Sequence, residues 1–268
     1  MRQFTREEIL TSLKKKVAKN ECIVACGAGA GLIAKAAQTA GVDLILASAE
    51  NTARADGASA WAAALPYVDA NQVTLALSNK LLPIMNETPV IAGVGANDPY
   101  RDIDGIIDEI SKLGYSGVVN SPTVGFYDAD LRAQMSHAGY QYENEEKMIK
   151  SCKSKDIFTL AYACNAHDAE RMAVAGADVI VARYIHKPGT AFKKALQQLH
   201  VMVSQIKANQ SDSIVLIEIC PFSSKEQVQE AISTVGAQGI VGASAIESVP
   251  AYESLQCVFS EILSIQLG

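Results

Sequence analysis

Two acidic side chains, Glu50 and Glu218, and three cationic ones, Lys35, Arg101 and Arg183, stand at or shortly after the ends of apolar runs in this 268-residue chain. Charged side chains in such places suit acid–base chemistry on a small molecule, in which charge develops in the transition state. That charge needs a fixed cation or neutral donors, and a proton carrier close by. Glu218 and Glu50 are the candidate bases, and Arg101 and Asn120 complete the expected catalytic set as cation and neutral donor. Gly27, Gly29, Lys35, Ser48, Asp98, Thr123, Arg183, Gly242 and Ser244 form the expected substrate-binding set. Gly27 and Gly29 open the turn GAGAGLIAK, where backbone amides can approach an anion ahead of a helix. Arg183, with His186 and Lys187, makes a basic loop suited to a carboxylate or phosphate. Asp98 and Arg101 have a structural alternative, in which Asp98-Pro99 caps a helix and Arg101 pairs with Asp102 or Asp104. Lys35 is a poor Schiff-base lysine, because it follows a turn rather than projecting from a strand into a dry pocket.

These residues need elements to position them, and the apolar runs supply the pattern. The runs are Cys22 to Gly27, Val42 to Ala47, Pro89 to Val94, Gly117 to Asn120, Ile157 to Ala163, Asp178 to Ala182, Ile214 to Glu218 and Gly239 to Gly242. They are continuous rather than alternating, as strands buried on both faces are, and most are separated by enough chain for a helix. Two phrases nearly repeat, AGVDLILA at 40–47 and AGADVIVA at 175–182, each after an Ala-rich helical stretch. The pattern predicts a (β/α)8 barrel over residues 1–268, one domain, preceded by an amino-terminal helix near residues 5–18 with Thr5 and Glu8 at capping-box spacing. The chemistry of such a barrel belongs at the carboxyl ends of its strands.

Composition narrows the partners. A formal net charge of −6 is wrong for a protein whose main ligand is a nucleic acid backbone, and Lys14, Lys15 and Lys16 read as a solvated helix face. Apolar stretches are too short to span a bilayer, so a cytoplasmic protein is expected. The six cysteines, at 22, 26, 152, 164, 220 and 257, show no metal-knuckle spacing and read as reduced thiols. Leu255, Val258, Phe259, Ile262, Leu263 and Ile265 form a broad apolar face near the carboxyl terminus, which suggests a homo-oligomer. The expected ligand is a small anion.

Several phrases together resemble one family: the opening FTREEIL, GAGAGLIAK, LPYVDAN, PVIAGVGANDPYRDID, GYSGVVNSPTVGFYD, AGADVIVA and GASAIESVP. The chain is similar, over almost its whole length, to the phosphoenolpyruvate hydrolase-like TIM-barrel family, which also occurs as the carboxy-terminal domain of larger proteins. AGLIAKAAQTAGVDLILAS followed by an Ala/Gly-rich loop and LPYVD more distantly resembles the first two units of the phosphoenolpyruvate/pyruvate-domain superfamily of isocitrate lyase and phosphoenolpyruvate mutase. There the second-strand loop embraces the carboxylate of an oxo acid, and Ser48 sits in the corresponding place.

The departures are as informative. The distant relatives hold magnesium through acidic residues after strands 3 and 4, whereas this chain runs through Gly93 and Gly95 and ends strand 4 in Asn120. No cofactor is expected, with Asp98 the one candidate for weak Mg2+ binding. Family members usually carry Asn-Ser-Gly and then Arg-rich residues after strand 2, and Cys-His-Gly-Gly-Pro after strand 7. Here the residues are Glu50-Asn51-Thr52 and Glu218-Ile219-Cys220-Pro221, and Arg183 stands where a histidine is common. The resemblance implies an enzyme acting on a small oxo acid or a phosphoenolpyruvate-like enol, by C–C cleavage or hydrolysis. The alternative is a ligand-binding or interaction protein that keeps the barrel without the reaction.

Overall fold

A computed structural model describes residues 2–65, 67–185, 192–209, 211–218, 224–242, 244 and 246–265. His186, Lys187 and Cys220 lie outside the described residues. Eight parallel strands close into a barrel in sequence order: β1 (Ile23–Gly27), β2 (Leu44–Ala47), β3 (Val90–Val94), β4 (Gly117–Asn120), β5 (Phe158–Ala163), β6 (Val179–Arg183), β7 (Ile214–Glu218) and β8 (Gly239–Gly242). The ring closes through β1 and β8, where Ile23 aligns with Gly239. The helices are α1 (Arg6–Ala18), α2 (Gly31–Thr39), α3 (Ala49–Ala55), α4 (Trp61–Ala64), α5 (Ala70–Leu81), α6 (Ile103–Leu113), α7 (Ala129–His137), α8 (Tyr142–Ser154), α9 (Ala166–Ala175), α10 (Phe192–Ala208), α11 (Lys225–Val235) and α12 (Ser248–Leu263). The predicted (β/α)8 barrel is the observed fold.

Burial on both strand faces produces two cores. Ile23, Ala25, Leu44, Leu46, Ile91, Val119, Phe158, Leu160, Val179, Leu216 and Val241 fill the barrel interior, and Ile9 and Leu13 of α1 join them from below. The outward residues, such as Ile45, Ala92, Val118, Ala161, Ile180 and Ile217, pack under the surrounding helices. This division explains why the runs lack polar alternation: neither face of these strands meets water.

Strands β1, β3, β5 and β6 start one residue later than the apolar pattern predicts, and β2 starts two residues later. Asp43 and Asp178, the acidic members of the two repeated phrases, stand just ahead of β2 and β6 and still bond the neighbouring strands through their backbones. Their carboxylates also accept from backbone amides of the neighbouring strands, Asp43 from Val24 N–H at 2.9 Å and Asp178 from Thr159 N–H at 3.0 Å. Both then meet a cation from α1: Lys16 reaches Asp43 at 2.8 Å and Arg6 reaches Asp178 at 2.7 Å. The repeat therefore supplies two like sockets, and α1 plugs the amino-terminal end of the barrel by occupying both.

Helix α1 begins as its sequence predicts. The Thr5 hydroxyl accepts from Glu8 N–H at 3.2 Å, and the Glu8 carboxylate accepts from Thr5 N–H at 2.8 Å, satisfying two otherwise unpaired donors. Among the described residues, no helix is long and apolar enough to cross a membrane. Five cysteines, Cys22, Cys26, Cys152, Cys164 and Cys257, are free thiols. Replacing Arg6 by Ala leaves the buried Asp178 without its guanidinium partner, so urea denaturation should show a loss of about 2 kcal/mol. An unchanged midpoint would show that α1 is not anchored there.

Candidate active site at the carboxyl-terminal mouth of the barrel

The register of β6 against β7 sets Arg183 directly beside Glu218, each the last residue of its strand. Arg183 Nε lies 3.2 Å from Glu218 Oε1. Its guanidinium also sits over the Phe126 ring, 4.0 Å from the centroid, and 5.5 Å from that of Tyr162. Two rings and a carboxylate thus fix the cation in place. Burial alone would lower the Arg183 pKa; Glu218, with Tyr162, outweighs it and keeps the guanidinium charged. Burial first, and then the neighbouring Glu218, push the Tyr162 phenol well above its ordinary value.

The second carboxylate arrives from the loop after β2. Ser48 caps α3 by accepting from Asn51 N–H, which places Glu50 in the first helical turn with its side chain at the cavity. Glu50 Oε2 accepts from the Ser48 hydroxyl at 3.1 Å and from the Ser121 hydroxyl, whereas Oε1 has no partner. Glu218 Oε2 is likewise buried without a partner. Two close approaches make this packing possible. A Cβ on Gly29 would overlap the backbone of Asn51, and one on Gly93 would overlap the Ser48 side chain. The loop after β2 can therefore lie flat across β1 and β3 only because those positions are glycine.

Together these groups line a cavity of about 220 Å3, bounded also by Gly27, Trp61, Tyr162 and Gly242. That is smaller than a drug-sized pocket and suits a small metabolite. Arg54 of α3 forms an ion pair with Glu247 and donates to Asn51 Oδ1, joining the β2 loop to the segment after β8. Burial pushes the Glu247 carboxyl up, against the pull of Arg54. The Tyr127 hydroxyl donates to the Ala64 carbonyl, holding the α3–α4 segment over the mouth.

Of the expected catalytic residues, Glu218 and Glu50 meet in this cavity, and Arg101 and Asn120 do not line it. The expected convergence of Arg101, Asn120 and Glu218 is therefore corrected. Arg101 folds back onto Asp98 and Asp69. Asp102, rather than Asp98, caps α6. Asp98 itself is held by Asn71, by the Tyr100 N–H and by Arg101; these bonds keep it below the usual carboxylate range although burial opposes them. Asn120 is wholly buried and extends the β4–β5 ladder with its side chain, accepting from Tyr162 N–H at 2.6 Å and donating to Tyr162 O at 3.2 Å. Its amide also donates to Glu145 Oε2 at 2.6 Å, as does the Thr123 hydroxyl at 2.6 Å. Asn120 and Thr123 are thus supports behind the wall.

Among the binding set, Gly27, Ser48, Arg183 and Gly242 line the cavity, and Gly29 packs under its loop. Lys35 is exposed on α2, away from the lining. Ser244 lies in the turn before α12, its carbonyl accepting from Val249 N–H at 3.0 Å. Arg54, in the polar loop after strand 2, and Tyr162, at the end of strand 5, stand where the sequence offers site residues, whereas Ser121, Phe126 and Glu247 carry no such signal in the sequence. Ser121 and Phe126 follow β4, and Tyr162 lies in β5.

Glu145 was invisible as a site feature, lying mid-helix in α8 among charged neighbours. It is fully buried and accepts from Asn120, Thr123 and Val124 N–H. Burial, opposed by those donors, raises its pKa to about 7. A carboxyl raised on folding takes up a proton on folding, so its contribution is full at low pH and lost as pH climbs from the ordinary 4.5 towards 7. The melting temperature of the native chain, measured relative to Glu145→Gln, should fall across that window. A flat difference would show that Glu145 does not titrate there.

The fold and the site define a (β/α)8 barrel with a small charged cavity at its carboxyl-terminal mouth. The chain belongs to the phosphoenolpyruvate hydrolase-like family, whose model matches residues 8–264. It is 34% identical over 271 residues to the ToMV resistance protein Tm-1(GCR237) of Solanum lycopersicum, a match covering 98% of this chain and 36% of that protein. The chain thus spans about a third of the length of that curated relative. Among solved structures, a phosphonopyruvate hydrolase complexed with oxalate and Mg2+ superposes with a TM-score of 0.63 at 14% identity, over 95% of this chain and 86% of that one. A 2,3-dimethylmalate lyase of the PEP mutase/isocitrate lyase superfamily gives 0.62 at 18% identity, over 95% and 87%. At such identities these two likenesses establish the shared fold.

Proposed function

We propose that this chain is an enzyme acting on a small oxo acid or its enol, by C–C cleavage or hydrolysis through an enolate. The observation that carries the reading is the Arg183–Glu218 pair at the barrel mouth with Glu50 in the same cavity. Arg183, immobilised between Phe126 and Tyr162, receives the substrate carboxylate and the charge that grows on the enolate oxygen. A cation held in place before reaction costs no reorganisation during it. Glu218 Oε2 and Glu50 Oε1, both unpartnered, are the atoms at which a proton is taken and returned. Trp61 and the α3–α4 segment limit water at the mouth. The family description and the fold shared with phosphonopyruvate hydrolase and 2,3-dimethylmalate lyase support the substrate class.

The superposed hydrolase was solved with Mg2+, but the residues here do not fit that ion. Magnesium wants several hard oxygen ligands, whereas Glu218 flanks the Arg183 guanidinium, Glu50 has a single oxygen left over from Ser48 and Ser121, and Asn120 is committed to Glu145 and Tyr162. Among the described residues, no group of three or more His, Cys, Asp or Glu side chains could hold a metal. The steps above are accordingly assigned to the chain's own side chains.

A second reading, a barrel that binds a ligand without turning it over, is favoured by the Tm-1 relative, whose name records virus resistance. Screening small oxo acids and enols by thermal shift and then turnover separates the two. For any acid that is turned over, Glu218→Gln should reduce kcat on the order of a hundredfold while Kd stays within a few-fold. Undiminished turnover in that variant removes Glu218 from the chemistry, and stabilisation by acids with no turnover by the native chain favours the binding reading.

A cytoplasmic setting and a homo-oligomeric assembly belong to the same proposal. Helix α12 buries none of its residues, and Tyr252, Leu255, Val258, Phe259, Ile262 and Leu263 are all exposed along it. An apolar surface of that extent on one helix is unfavourable in water and reads as an interface between copies. Light scattering at micromolar concentration should give at least a dimer, and Phe259→Glu with Ile262→Glu should return it to monomer. A native monomer would remove the idea.

A further inference from the structure

Among the described residues, two carboxylate oxygens of the cavity wall are buried without a donor. Glu50 and Glu218 are 5% and 3% exposed, and each keeps one carboxylate oxygen without a partner. The hydroxyls of Ser48 and Ser121, which could have served a ligand as donors, are spent on Glu50 Oε2. Arg54 is spent on Glu247 and Asn51. Among the described residues, the carboxylates Glu50 and Glu218 of the lining and Glu247 beside it stand against two guanidiniums, Arg54 and Arg183. A buried acceptor left unpaired costs free energy that a bound donor recovers.

We infer that the ligand of this cavity carries, besides a carboxylate for Arg183, an O–H or N–H group that donates to Glu50 Oε1 or Glu218 Oε2, and that it is not phosphorylated. The inference rests on the reading of this cavity as the substrate site and narrows it to hydroxy- or amino-substituted small acids. A phosphoryl group brings three strong acceptor oxygens and close to two negative charges. Against this wall it would bring no donor to either unpartnered oxygen, and would set a dianion beside two carboxylates. A hydroxyl or ammonium group supplies what the wall lacks, and an ammonium also offsets its excess negative charge. Sites built to hydrogen-bond a substrate O–H or N–H reject analogues lacking it far more strongly than apolar pockets reject a missing methylene. The cavity volume of about 220 Å3 leaves room for acids of this size.

Isothermal titration of the full chain with five acids of similar size tests this. Pyruvate is the reference, hydroxypyruvate and lactate each supply a hydroxyl, alanine supplies an ammonium, and phosphoenolpyruvate supplies a phosphoryl group. At least one donor-bearing acid should bind about tenfold or more tightly than both pyruvate and phosphoenolpyruvate. Glu50→Gln, which replaces a carboxylate by an amide of the same shape, should narrow that preference. Pyruvate or phosphoenolpyruvate equalling the best donor-bearing acid overturns the inference, as does an absence of binding by all five. Turnover of the same acids distinguishes its failure from that of the enzyme reading. Turnover with pyruvate or phosphoenolpyruvate preferred sinks the donor requirement and leaves the enzyme. A donor preference without turnover of any acid leaves the requirement and sinks the enzyme.

Discussion

The pairing of β6 with β7 is the constraint on which the site depends. Their register places Arg183 opposite Glu218, so the guanidinium enters the barrel mouth already facing a carboxylate. Desolvating either group alone would cost several kcal/mol, and each makes the burial of the other tolerable. Phe126 and Tyr162 complete the arrangement, since a guanidinium that is weakly hydrated and flat can lie on aromatic rings where an ammonium would remain unsatisfied. The cavity is then a place where charge is fixed by neighbours rather than by water.

Behind that wall stands a second polar layer that never touches the cavity. Glu145 gathers Asn120, Thr123 and the Val124 amide, and Asn120 in turn grips both backbone groups of Tyr162. Tyr142 donates to the same Tyr162 carbonyl at 2.6 Å. The segment after β4, which contributes Ser121 to Glu50 and Phe126 to Arg183, is thereby tied to β5 and α8. A fully satisfied buried network of this kind holds one geometry, and this one holds the two sides of the cavity in register. At the opposite end of the barrel, Asp43 and Asp178 bind strand amides and α1 together, so stability and site chemistry occupy opposite ends of the same strands.

The amino-acid sequence by itself determined the barrel. Continuous apolar runs, spaced for intervening helices, admit few folds other than strands buried on both faces, and β4, β7 and β8 fall at the predicted residues. It determined the capping box of α1 and the presence of Glu50, Ser48, Arg183 and Glu218 at strand ends. Local spacing carries that information because strand and helix periods are local properties. The sequence could not decide which strand-end side chains turn inward. Arg101 and Arg183 look alike in the chain, yet Arg101 has Asp98 three residues away and Asp69 brought close by α5, while the inter-strand register gives Arg183 to Glu218. Asn120 reads as a donor at a strand end but is spent on Tyr162 and Glu145, whose approach from α8 only packing creates. Hydrogen-bond partners far apart in sequence compete for each polar group, and tertiary structure alone decides which partner wins.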